Sequence, residues 1–94
     1  MNVRYSEAAL RELDQIFAYI YERNRSAAIA VVDRIERLAS LIGEMPFMGH
    51  STDEEGVRVM PVVRYPFLIF YTINDIADEV VILHVRHGAR RPQQ

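Results

Sequence analysis

The residues of this 94-residue chain best suited to chemistry gather in its second half. Arg58, Arg64, Arg86, Arg90 and Arg91 carry permanently charged forks, and His84, His87, Tyr65 and Tyr71 can hold or pass a proton. Forked guanidinium groups grip carboxylates and phosphates in pairs of hydrogen bonds, so an anionic partner is the first expectation. Arg58, at the start of an apolar alternating run, either binds such an anion or is a solvated strand charge paired with a helix carboxylate. His84 sits between Leu83 and Val85, where an imidazole is usually half-buried and hydrogen-bonded. His87, followed by Gly88 at a strand exit, is the more accessible imidazole and the better candidate for meeting a partner. Arg90 and Arg91 belong either to a frayed basic terminus or to a contact surface. Tyr5, Tyr19 and Tyr21 read as core or rim packing residues rather than as a base-stacking platform.

Other chemistries are argued against. His50, His84 and His87 lack ligand spacing and have few acids near them, so no metal is expected. No glycine-rich strand-to-helix turn is present to cradle a phosphate, and no cofactor is expected. The chain has no cysteine, which excludes disulfides and thiolate metal sites and favours a reducing cytoplasm. Charges at Arg4, Glu7, Arg11 and Glu12 break any signal-like apolar stretch, and no run approaches the roughly 20 apolar residues of a membrane span, so a soluble protein is expected. Residues 1–55 hold six Arg against ten Asp and Glu, and residues 56–94 hold five against three, so a net charge of −2 conceals an acidic first part and a basic second part. All eleven basic residues are arginine.

Positioning these groups calls for one domain over residues 1–94, since two would each be too small for a core. Val3 and Tyr5 alternate with polar neighbours as in a short strand, and Ser6 can cap the helix that follows. Leu10, Leu13, Phe17, Ile20 and Tyr21 recur at helical spacing. Ser26 can cap a second helix, whose stripe of Ala28, Val31, Val32, Ile35, Leu38, Ala39 and Ile42 ends at Gly43 as a C′ residue. Gly43 to Gly56 is a connector. Val57 to Val63 then alternates, Tyr65 to Ile73 is a continuous β-branched and aromatic run, and Val80 to Val85 closes a hairpin after a polar turn. Pro61 predicts an irregular or unpaired stretch. The expected fold is α+β: an N-terminal helical hairpin packed on a small antiparallel β-sheet, in the order β-α-α-β-β-β.

The segments VRYSEAALRELDQIFAYI, SAAIAVVDRIERLASLIGEMPFMG, GVRVMPVVRYPFLIFYTI and VVILHVRHGARRP, in this order, resemble the RelE/ParE toxins of type II toxin–antitoxin systems over nearly the whole chain. The pattern includes a Pro-x-x-Gly turn at Pro46 and Gly49, a Gly-x-Arg strand at Arg58, and a His-Gly-x-Arg-Arg-Pro ending. That ending and the Tyr65 to Tyr71 strand are more similar to the ParE branch.

The ParE resemblance implies inhibition of DNA gyrase, with growth arrest and plasmid stabilization, and no enzymatic step of the toxin's own. Arg58, His87, Arg90 and Arg91 are the candidate target-binding residues. It also implies a cognate antitoxin that covers exposed apolar surface in a hetero-oligomer, and operator DNA reached only indirectly through that antitoxin. The RelE alternative implies metal-independent cleavage of ribosome-bound mRNA. That needs a base for the 2′-hydroxyl, an acid for the leaving 5′-oxygen and cations for the developing phosphorane charge. Arg58, Arg64, Tyr71 and His87 are the candidates, though the lysines common in that branch are absent. A non-toxic homologue that only binds its antitoxin is the third possibility.

Overall fold

Ser6 decides where the first helix begins. Its hydroxyl accepts from Ala9 N at 3.0 Å and donates to Leu83 O at 2.8 Å, capping the helix and tying its start to the last strand. In the computed structural model, which describes residues 1–88, the order is β1 (Asn2–Tyr5), α1 (Glu7–Tyr21), α2 (Arg25–Glu44), a 3₁₀ turn (Pro46–Met48), β2 (His50–Ser51), β3 (Val57–Pro61), β4 (Phe67–Asn74) and β5 (Glu79–His87). The expected order holds, with the two-residue β2 added inside the connector.

The sheet runs β1-β5-β4-β3-β2. Three of its four pairings are antiparallel, but β1 lies parallel to β5, with Val3 opposite Val80 and Tyr5 opposite Ile82. The sheet is therefore mixed rather than wholly antiparallel. Parallel neighbours require a long crossover, and everything between Tyr5 and Glu79 serves as one. Pro61 pairs with Leu68 as the exposed last residue of β3, where a missing N–H costs little.

Helix α2 buries Ala28, Val31, Ile35, Ala39 and Ile42, the stripe its spacing predicts. On α1 the buried residues are Ala9 and Leu13, with Ile16 and Ile20 partly buried, while Leu10 stays 53% exposed. The core face is thus turned from the larger apolar stripe onto a small residue, Ala9, which lets the helix approach the sheet. Phe67, Ile69, Tyr71, Val80, Ile82 and Val85 supply the other side of the core.

Two boundary expectations are corrected. Asn24, extended and with its side chain accepting from Ala27 N at 3.0 Å, caps α2, and Ser26 bonds to Asn24 instead. Gly43 does not end the helix, which continues to Glu44. It is a buried point of close approach, because a Cβ there would stand 2.6 Å from Val3 Cγ2 and 2.9 Å from Met1 O. Among the described residues no helix is long and apolar enough to cross a membrane.

Candidate functional site

Arg58 and Tyr71 face each other across β3 and β4 on the side of the sheet that carries the helices. The Tyr71 ring is fully buried; its hydroxyl accepts from Gly49 N at 3.0 Å and donates to Pro46 O at 2.6 Å. Arg58 Nη2 donates to Gly49 O at 2.7 Å and to Phe47 O at 3.2 Å, and its guanidinium carbon lies 5.3 Å from the Phe47 ring centre. Arg58 Nε is buried without a partner. The two side chains clamp the 3₁₀ turn from beneath. Gly49 must be glycine for this, since a Cβ would come within 2.6 Å of the Tyr71 hydroxyl.

A second cluster forms where β1 stops. Pairing between β1 and β5 ends at Ile82, so the rest of β5 would be a bare sheet edge. Ser6 takes up the Leu83 carbonyl, and Glu12 of α1 accepts from Val85 N at 2.9 Å. The same carboxylate lies 3.2 Å from His84 Nδ1 and 3.6 Å from Arg86 Nε, and Arg86 Nη2 lies 3.2 Å from His84 Nδ1. His84 is half-buried and hydrogen-bonded. A carboxylate, an imidazole and a guanidinium thus meet at a partly open edge, with Glu12 orienting the other two.

Beside this cluster runs an open groove of about 640 Å³. Glu12, Gln15, Ile16, Tyr19 and Ile20 of α1 form one wall, Val31 of α2 the floor, and Tyr65–Phe67 with Val85–His87 the other wall. His87 packs edge-on to Phe67 with ring centres 5.5 Å apart. Tyr19 is 59% exposed with Arg23 stacked 3.8 Å above it, and Tyr21, Arg25 and Phe17 make a similar stack at the tip of the hairpin. Of the core or rim packing expected for them, Tyr19 and Tyr21 take the rim, because the core face turned toward Ala9. Aromatic and arginine side chains of this kind are the groups that dominate protein interfaces.

The four residues considered for acid–base or cation roles are therefore not assembled into one site. Tyr71 is enclosed, Arg58 is held by two carbonyls, and His87 lines the groove. Arg64 lies in the exposed turn closed by Tyr65 N to Val62 O at 3.2 Å, with φ of 77°. Arg90 and Arg91 lie outside the described residues. Sequence reasoning missed Glu12 and Phe47 altogether. Glu12 carries no local signal, because its partners are more than seventy residues away. Phe47 has no signal of its own beyond its place in the Pro-x-x-Gly turn, because the clamp that fixes it comes from β3 and β4.

The sequence matches the family described as the ParE toxin of the type II toxin–antitoxin system parDE over residues 3–92. The candidate toxin Y4kP of Sinorhizobium fredii is 30% identical over 83 residues, spanning 88% of this chain and 86% of that protein. Among solved structures, one from the chromosomal ParDE system of P. aeruginosa superposes with a TM-score of 0.81 at 20% identity, covering 93% of this chain and 95% of that one. The RelBE2 toxin–antitoxin complex of Mycobacterium tuberculosis contains a chain with a TM-score of 0.64 at 26% identity, covering 92% and 95%. The isolated RelE toxin of E. coli gives 0.68 at 13% identity, covering 95% and 85%.

Proposed function

The chain belongs to the ParE toxin family of type II toxin–antitoxin systems, and we propose that it inhibits DNA gyrase without a catalytic step of its own and is silenced by a cognate antitoxin. At the coarser level it is a toxin of the ParE/RelE superfamily. One observation carries the choice of a binding toxin over a nuclease. Of the groups that could act on RNA, the Tyr71 hydroxyl and the Arg58 guanidinium are committed to the Pro46–Gly49 turn. A general acid must reach the proton it transfers, and a fully buried phenol bonded to two backbone groups does not.

The antitoxin reading is supported by the groove and its rim. An apolar floor, exposed aromatic rings with stacked arginines, and Arg86 and His87 at one end suit a partner segment that combines apolar and acidic side chains. Two of the similar structures are toxin–antitoxin complexes. Contact with operator DNA would run through the antitoxin, and the pair would work in the cytoplasm, where gyrase is. The competing nuclease reading keeps Arg64 and His87, which the turn does not engage, and adds His84, oriented by Glu12, with Arg86 beside it.

Controlled expression without the antitoxin gene, following DNA breaks and mRNA integrity in one culture, separates these readings. Growth arrest with DNA breaks that vanish in a gyrase-resistant background, and intact mRNA, is the expected result. Cleaved mRNA without breaks refutes it in favour of the endonuclease, and normal growth refutes it in favour of a homologue that only binds antitoxin.

A further inference from the structure

Phe47 is an anomaly in a small domain. Its ring is 67% exposed, and Met45 beside it is 53% exposed. Yet the backbone beneath is held by four hydrogen bonds, with both Pro46 and Gly49 tied to Tyr71 and both Phe47 and Gly49 carbonyls tied to Arg58. The clamp leaves a buried Arg58 Nε unpartnered, which costs stability. Core packing gains nothing from an outward ring fixed this way. A protruding aromatic whose position is settled before binding is what an interface anchor requires.

The surroundings specify what it fits. A shallow recess of about 430 Å³ opens beside Phe47, edged by Glu54, Glu55 and Asp75 together with apolar Val57 and Ile73. Arg58 also lines the recess, where it donates to the Phe47 and Gly49 carbonyls, so three carboxylates stand against one guanidinium. The rim is therefore acidic around an apolar knob, and it shares no lining residue with the groove between α1 and β5. Its chemistry is also opposite to that of the groove's arginine-bearing rim, so one partner segment would not suit both.

We propose that Phe47 and its acidic rim are the docking surface for the target protein, whose matching face is basic and holds a recess for an aromatic ring. This rests on the gyrase-directed reading above. The antitoxin keeps the groove, so each partner is recognised by a different chemistry on a different part of the molecule.

The test uses purified gyrase, the whole chain, Phe47→Ser, and the charge reversal Glu54→Lys/Glu55→Lys, with antitoxin binding and thermal unfolding measured on each. Phe47→Ser is expected to weaken gyrase inhibition by roughly tenfold or more, since anchor residues carry at least that much. The charge reversal should slow association on the order of tenfold at low salt and flatten its salt dependence. Antitoxin affinity should stay within about twofold for both, as rim changes elsewhere leave a separate interface nearly untouched. If the wild-type chain does not inhibit gyrase, the gyrase reading fails and this surface with it. If the wild type inhibits and both variants inhibit equally well, the gyrase reading stands and this surface is refuted. Parallel loss of antitoxin binding, or a wild-type dimer that Phe47→Ser dissolves with inhibition unchanged, also refutes it. Should Phe47→Ser unfold, the charge reversal decides alone, because Glu54 and Glu55 are exposed.

Discussion

Replacing Tyr71 with Phe removes one oxygen from a ring with no exposed surface, and the consequence can be worked from two distances. The bond to Pro46 O at 2.6 Å is lost, and the Gly49 N–H, bonded at 3.0 Å in a buried residue, is left without an acceptor. A net bond is worth about 1 kcal/mol and a stranded buried donor about 1–3 kcal/mol, giving a loss of about 2–4 kcal/mol. A domain of this length holds about 5–14 kcal/mol in all, so the midpoint of unfolding should drop by roughly 10–25 °C. Urea titration gives the same quantity as a shifted midpoint at unchanged slope. A loss below about 0.5 kcal/mol would show that the turn is not held by this hydroxyl, since surface changes fall in that range. Combining it with Arg58→Met should be non-additive by at least about 0.5 kcal/mol, because both side chains hold Gly49. Toxicity should fall only with the folded fraction. A fully folded variant that loses about 10²–10⁴ in mRNA cleavage would restore Tyr71 as a proton donor.

Arg64→Gly should stabilise the protein by about 1 kcal/mol, because a bulky residue at φ of 77° is strained where glycine is not; a measured loss of stability would show that the arginine side chain is held by contacts that outweigh the strain. Glu12→Ala should cost about 1–3 kcal/mol by stranding Val85 N and leaving His84 and Arg86 without their shared carboxylate, with faster amide exchange at Val85 as the local sign; protection unchanged at Val85 would contradict it. Burial, and secondarily the Glu36 charge, hold the Tyr5 phenol above its ordinary 10.0. A raised folded value means that the stabilisation is intact below about pH 10 and is lost as pH rises through the folded value, so Tyr5→Phe should unfold at higher pH than the parent in an alkaline titration, and coincident curves would refute the assignment.

The sequence makes helices and strands legible wherever one residue's neighbours decide its place. The α2 stripe, the β4 run and the Ser6 cap are set by spacing or by a group three positions away. The register of α1 was legible in part: Leu13 and Ile20 of the expected stripe meet the core, but Leu10 and Tyr21 are left exposed because helix and sheet approach best over Ala9. Asn24 outcompeted Ser26 as a cap because its extended backbone aims Oδ1 at Ala27 N. The candidate site was legible only as residue types. Arg58 and His87 stand out by kind, whereas the turn that captures Arg58 and the carboxylate that gathers His84 and Arg86 arrive from distant segments.

The charge asymmetry along the chain has the same lesson in it. An acidic first part and a basic second part suggest two poles, but folding pairs them: Arg4 of β1 meets Glu79 of β5 at 3.1 Å, and Glu12 of α1 meets Arg86 of β5 at 3.6 Å. What remains outside these pairs is sorted differently from the linear order. Arg23 and Arg25 lie over tyrosines at the hairpin tip, in the acidic part of the sequence, while Glu54 and Glu55 border the recess beside a strand of the basic part. Arg58 is the hinge of this arrangement. It lines the recess with Glu54, Glu55 and Asp75, which outnumber it, and by donating to the Phe47 and Gly49 carbonyls it fixes the ring beside them. The arginine of the Gly56-x-Arg58 segment thus shapes the surface beside it by holding the turn that carries Phe47.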